Sequence, residues 1–302
     1  MTPFNLTHTG QSVHQHTLAQ AVSLRGPVRQ GREAITLNLL PAGADSGIWF
    51  LRTDLEGDRR VIAARWDSVI ETRSSLILAN REGITLQGAT TLLCALRIGG
   101  IDNALIEISG PELPARPNDL ESYLELLARA GVQRQSLPRK ALRVQQTIEV
   151  RDSTGIATLT PARDFRIQLI VPRADADPTA ALLDTTVVSD LTEPAGDTMS
   201  IEAGQAGSPL PLRHLTQLPF ALRVRLINVI GHLSLSGTPL IGHFTGYRSG
   251  TTLHHTLLRA LMTRLTASYL TVDQHRVQHD TGVRDQPSGN DELPPRPEGK
   301  LH

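Results

Sequence analysis

A chain of 302 residues is long enough for two compact domains or one large one. Its apolar share of 39% and charged share of 20% are those of a globular protein, and thirty basic residues offset thirty acidic ones. That balance leaves no electrostatic footprint for nucleic acid or for an anionic membrane. Aromatic residues make up only 3%, so Leu, Ile, Val and Ala must fill the core. The single cysteine, Cys94, excludes an internal disulfide and a cysteine-based zinc site. As a lone thiol it is expected to be a buried small hydrophobe and not a reactive nucleophile.

Residues 1–16 are polar and lack the apolar stretch of a signal peptide. They are expected to be flexible, with His8, His14 and His16 forming a mobile polar cluster that holds metal loosely at most. Alternation at Ile35, Leu37 and Leu39 predicts a strand, and Ala104–Ile108 predicts another, ended by Gly110-Pro111. Helical spacing runs from Leu120 through Leu124 and Leu127 to Ala128. Asn118 caps it, with Glu121 three residues on and Gly131 at its close. The turn-rich stretch Gln135–Arg139, with Pro138, is the expected boundary between two halves. Phe165, Ile167, Leu169 and Val171 alternate as a strand. Residues 190–219 are rich in Gly, Pro, Ser and Thr and predict a long irregular connection. A helix follows at about 222–235. Another begins after Gly250, with Leu253, Leu257, Leu258, Leu261 and Leu265 at core spacing. Residues 273–302 are polar and Pro-rich and are expected to be a disordered tail. No run is long enough to span a bilayer, and the chain is expected in the cytoplasm.

Four segments together carry a resemblance. Leu39-Leu40-Pro41-Ala42 is followed by Asp45-Ser46-Gly47-Ile48 and Arg52-Thr53-Asp54. Next come Gly99-Gly100-Ile101-Asp102-Asn103-Ala104, and then Ile230-Gly231-His232-Leu233 with Gly237. The fourth is Phe244-Thr245-Gly246-Tyr247-Arg248-Ser249-Gly250, leading into Leu257-Leu258-Arg259. In order and spacing they resemble UDP-3-O-acyl-N-acetylglucosamine deacetylase, the zinc amidase of lipid A synthesis in Gram-negative bacteria. The resemblance implies an α+β fold of two similar domains, here about 17–135 and 140–272. Each is a sheet layered with helices, and the two pack helix face to helix face around the zinc and substrate.

The family's chemistry needs three ligands on zinc with one position open for water, a carboxylate base and a cation for the oxyanion. Matched by motif, the catalytic positions fall on Thr90 (the base), Arg225 (a lysine), Thr251 (a histidine) and His232 (its supporting aspartate). The metal-ligand positions fall on Thr91, Val224 and Asn228. Threonine is a poor base at neutral pH and a rare zinc ligand, valine offers no donor atom, and asparagine offers only a neutral carbonyl. The family's Met-Asp-Gly-Ser turn falls on Arg116 to Asp119, and a further family histidine falls on Arg25. The family's acyl-chain element would lie near residues 190–219. No zinc or other cofactor is therefore expected.

Three functions follow as expectations. The first is a pseudoenzyme that binds a protein partner as a regulator or scaffold. The second is a binder of a nucleotide-sugar or other anion in the old cleft through Arg25, Arg116 and Arg225. The third is a deacetylase whose metal site has moved to His232, His254 and His255. Against the third, His254 and His255 are adjacent and point about 100° apart on a helix. Solvated or hydrogen-bonded histidines are the plainer expectation.

Overall fold

In the computed structural model the described residues are 14–28, 34–70, 76–114, 119–162, 165–170, 198–202, 220–263 and 267–271. The expected tail at 273–302, the Asn118 cap, Arg116, Val171, His8 and all but a few residues of the irregular connection lie outside them.

The first half runs β1 (His14–Leu18), β2 (Val22–Pro27), β3 (Ala34–Pro41), β4 (Ile48–Arg52), β5 (Val61–Ala63), β6 (Val69–Ile70), β7 (Ile77–Ala79), β8 (Thr85–Gln87), α1 (Thr90–Ile98), β9 (Ala104–Ile108), α2 (Asp119–Ala130) and β10 (Val132–Pro138). Its main sheet has the order β2-β3-β9-β4-β5, with β6-β7-β8 as a small satellite. The alternation at Ile35, Leu37 and Leu39 buries those three on one face of β3, and β9 buries Ala104, Ile106 and Ile108 beside them. On α2 the same core receives Leu120, Leu124 and Leu127 at three- and four-residue spacing. Gly131 ends the helix at φ +67°, where its N–H reaches the Leu127 carbonyl at 3.0 Å. Only glycine adopts that left-handed turn without strain.

The second half runs β11 (Lys140–Val144), β12 (Ile148–Arg151), β13 (Ile156–Thr160), β14 (Phe165–Ile170), β15 (Thr198–Glu202), α3 (Phe220–Leu233), β16 (Leu240–Tyr247), α4 (Thr251–Thr263) and β17 (Ala267–Thr271). Strand β16 is the hub of its sheet and pairs with β11, β13 and β14. The architecture is the expected α+β one: each half is a sheet with helices, and α1 of the first half packs against α3 of the second. Leu92, Leu93 and Leu96 of α1 and Leu226, Val229 and Ile230 of α3 belong to one continuous apolar cluster. Among the described residues no helix is long and apolar enough to cross a membrane.

Two local expectations differ from what is observed. His14 and His16 belong to β1, which pairs antiparallel with β10, so these two are ordered. The stretch Gln135–Arg139 is no turn, because Gln135 to Pro138 complete β10. Pro138 is tolerated at the last residue of a two-stranded ribbon, where its missing N–H costs no ladder bond. The halves are clasped at this point.

The clasp is built by the glycine-rich signature. Asp102 accepts from Arg139 Nε at 2.9 Å and pairs with its Nη2 at 2.8 Å, and it also accepts the His16 N–H at 2.8 Å. Arg139 is 1% exposed, and its Nη2 also donates to the Gly100 carbonyl. Buried Asn103 donates to Gln15 and Gln135 at 2.9 and 2.7 Å and accepts the Gly47 N–H at 2.8 Å. One motif thus satisfies groups from β1, the turn before β4, and β10.

Candidate functional site

The facing helices bring four polar side chains into a line. Gly231 in α3 lies against the first turn of α1. A Cβ at that position would stand 2.3 Å from the Thr90 carbonyl oxygen and 2.8 Å from Thr90 Cγ2. Helix propensity favours alanine over glycine by about 1 kcal/mol, but here the clash is with backbone. Gly231→Ala is therefore expected to destabilise by about 1–3 kcal/mol net. Urea denaturation reads this directly; a variant as stable as the parent would disprove the close approach.

That approach places the next residue, His232, opposite Thr90, with Nε2 3.5 Å from Thr90 Oγ1. Its other nitrogen, Nδ1, lies 2.9 Å from Nδ1 of His254 on α4. His254 Nε2 in turn lies 3.0 Å from Ser249 Oγ. Ser249 belongs to the tight turn before α4, where Arg248 holds a left-handed φ of +46°. A Cβ at Gly246 beneath it would fall 2.3 Å from Ser249 Oγ and 2.9 Å from Phe244 Cε1, so a larger residue would displace the hydroxyl or the ring.

Both imidazoles are buried, His232 at 4% and His254 at 2% exposure, and Phe244 meets His254 edge-on at 5.5 Å between centroids. Burial foremost, and the like charge of His255 after it, pushes the His232 pKa down to about 4. Burial and then His232 push His254 well below the ordinary imidazole range. Both rings are neutral near pH 7, so one Nδ1 carries a hydrogen and the other accepts it. If His254 donates from Nε2 to Ser249, then His232 donates from Nδ1 and its Nε2 faces the Thr90 hydroxyl as an acceptor. The opposite assignment reverses every bond in the line. The four groups form a closed polar chain, and it has no carboxylate.

The other positions are scattered. Thr91, one residue along α1, is half-buried. Val224 is 38% exposed, and Asn228 is half-buried one turn along α3. Arg225 is exposed and lines a recess of about 10 Å³ with Val229, Arg248 and Ser249. Thr251 opens α4. Arg25 is exposed on β2, an edge of the first sheet. His255 turns from its neighbour, as the 100° step predicts, and its Nε2 lies 3.1 Å from the Trp66 carbonyl oxygen. Cys94 is fully buried, and burial raises its thiol pKa. Among the described residues no three His, Cys, Asp or Glu side chains are grouped to share a metal. Sequence reasoning missed Ser249 as the partner of His254, although both stand in or beside the fourth resemblance segment. It also missed the Thr90–His232 contact, which links residues 142 apart.

Two α+β layers meeting through facing helices, with polar side chains at the seam, define the two-domain deacetylase scaffold. The chain belongs to the LpxC family of UDP-3-O-acyl N-acetylglycosamine deacetylases, whose sequence model matches residues 15–182. It is 30% identical over 279 residues to the UDP-3-O-acyl-N-acetylglucosamine deacetylase of Myxococcus xanthus, covering 83% of this chain and 87% of the relative. The enzymes of the same name from Shewanella baltica strain OS155 and Idiomarina loihiensis are each 29% identical, over 283 and 293 residues. Those alignments cover 84% and 87% of this chain and 92% and 95% of the two relatives.

Proposed function

We propose that this chain is a non-catalytic member of the deacetylase family. Its retained scaffold would bind a protein partner, as a regulator or scaffold, in the cytoplasm of a Gram-negative bacterium. The observation that carries this reading is the hydrogen bond between His232 and His254, whose facing nitrogens are 2.9 Å apart. Each ring spends its facing nitrogen on the other, and its second nitrogen on a hydroxyl. A zinc ion needs such lone pairs free and convergent. The residues at the three ligand positions supply a hydroxyl (Thr91), an alkyl group (Val224) and a carboxamide (Asn228). That donor set does not fit zinc, and Thr90 does not fit the role of a base near neutral pH.

Identity to named deacetylases along most of the chain supports a rival reading, deacetylation of UDP-3-O-acyl-N-acetylglucosamine through a relocated site at His232, His254 and His255. One pair of measurements separates the two. After zinc loading and desalting, elemental mass spectrometry is expected to find no stoichiometric zinc, and assays are expected to find no acetate released from that substrate. About one retained zinc per chain, with acetate release abolished by a chelator, would overturn the non-catalytic reading. Binding of a nucleotide-sugar near Arg225 is a second alternative, favoured by Arg225 and Arg248 lining one recess. Calorimetry with UDP and UDP-sugars tests it, and silence at millimolar ligand removes it.

A further inference from the structure

Away from the histidine chain, a cavity of about 350 Å³ opens beside the clasp, with Trp49, Arg65, Lys140 and Thr238 among its walls. Its volume is within the range of small-molecule sites. A recess of about 40 Å³ shares Ile48, Asp102, Gly237, Thr238 and Pro239 with it and adds Arg97 and Ser234. The five shared residues make the recess an inner end of the larger space. About 40 Å³ holds roughly three waters, or the three heavy atoms of a carboxylate.

Two polar groups in this inner end are unspent. Thr238 Oγ1 is buried without a hydrogen-bond partner, and a buried unsatisfied hydroxyl costs about 1–3 kcal/mol. The Arg97 guanidinium makes no hydrogen bond or close ion pair with a described residue. The carbonyls that end α1 do not need Arg97, because the N–H groups of Gly99, Gly100 and Ile101 already reach those of Ala95, Arg97 and Leu96. Neighbouring cations are occupied: Arg139 by Asp102 at 2.8 Å, Lys140 by Asp45 at 2.9 Å and Arg65 by Asp67 at 2.8 Å. Among the described residues Arg97 is thus the cation here without a close ion pair, and the Asp102 carboxylate, which Arg139 already holds, offsets its charge only in part. Burial, and then the like charge of Arg139, lower its pKa to about 10 against the opposing pull of Asp102.

The outer part supplies a flat apolar wall. Trp49 is 36% exposed, and its Nε1–H donates to the Ser46 carbonyl at 2.7 Å, which fixes the plane of the ring. A rigid indole presents area at little entropic cost.

We propose that this two-part cavity binds a small aromatic carboxylate, with its head on Arg97 and Thr238 and its ring against Trp49. The site involves none of the positions discussed for zinc or catalysis, so it stands or falls apart from them. The test uses the full chain carrying Trp66→Phe, which leaves Trp49 as its single tryptophan. Benzoate is titrated with Trp49 fluorescence as the readout, and benzamide serves as a neutral ligand of the same shape. Benzoate is expected to give a saturable change. Binding should weaken about tenfold or more with benzamide and in Arg97→Gln, the cost of a charge-assisted contact. Thr238→Val should weaken it about threefold to tenfold while leaving the melting midpoint unchanged or higher, because the orphan hydroxyl is gone. That stability readout separates lost binding from lost folding. The benzamide comparison holds even where Arg97→Gln fails to fold. An absent saturable response, equal binding of benzoate and benzamide, or undiminished binding in a folded Arg97→Gln chain would each overturn the proposal.

Discussion

Asp102→Asn is expected to cost about 3–5 kcal/mol of folding stability, a large part of what an ordinary domain possesses. The replacement keeps the shape of the side chain but strips the charge that faces Arg139. Arg139 is 1% exposed and cannot recover hydration without unpicking the clasp. The attraction within the pair does not set this number, since burying both ions was itself costly. The cost arises from leaving one charge in a low-dielectric site without its partner. The double replacement Asp102→Asn with Arg139→Leu should therefore recover most of the loss, even though it restores no ion pair. Urea denaturation of the parent and the two variants gives the comparison. A single variant within about 1 kcal/mol of the parent would show that the clasp does not hold the halves together.

Acidification should weaken the fold well before carboxylates are titrated. In the unfolded chain an imidazole takes up a proton near pH 6.5, whereas His232 in the fold resists protonation until about pH 4. Between those values the unfolded state binds the extra proton, so stability falls as pH falls through the interval. For His232 alone the loss amounts to about 3 kcal/mol by pH 4. His254 acts in the same direction, because its pKa is lowered too. Above about pH 6.5 both contributions are level and stability is flat with respect to them. The chain itself tolerates one added proton, since a charged ring still donates from Nδ1 to a neutral one; a second proton sets two donors face to face. Denaturation across this range should show the slope, and replacing both residues together (His232→Leu with His254→Leu) should flatten it. A parent protein whose stability does not change between about pH 6.5 and pH 4 would mean that the rings are not held neutral by burial.

The clasp and the histidine chain explain different parts of the resemblance. Glycine and asparagine positions in the signature at 99–103 answer to backbone geometry and polar satisfaction between halves, which do not depend on any chemistry at the seam. Gly231 and Gly246 are likewise fixed by contacts with Thr90 and Ser249. Of the positions matched to the family's chemistry, only Thr90 and His232 face one another across the seam, and His254 and Ser249 continue the line. There a hydroxyl, two imidazoles and a second hydroxyl satisfy each other.

The sequence by itself determined whatever depends on local periodicity and on matched motifs. β3, β9, β14, α2, α3 and α4 were legible because apolar spacing of two or of three to four reports which face is buried. The Gly131 stop was legible because glycine is the residue that most readily takes a left-handed φ. The reading of Thr90, Thr91, Val224 and Asn228 as the occupants of the family's chemical positions rests on matched spacing alone. Strand β10 was not legible. Pro138 and the polar run before it read as a turn, and only pairing with β1, over a hundred residues earlier, makes it a strand. The meeting of Thr90, His232, His254 and Ser249 was equally hidden. It depends on α1 crossing Gly231 and on α4 returning beside α3. The unspent Arg97 and Thr238 depend on which neighbours had already found partners. Such satisfaction is a property of packed surfaces distant in sequence, and only the tertiary structure decided it.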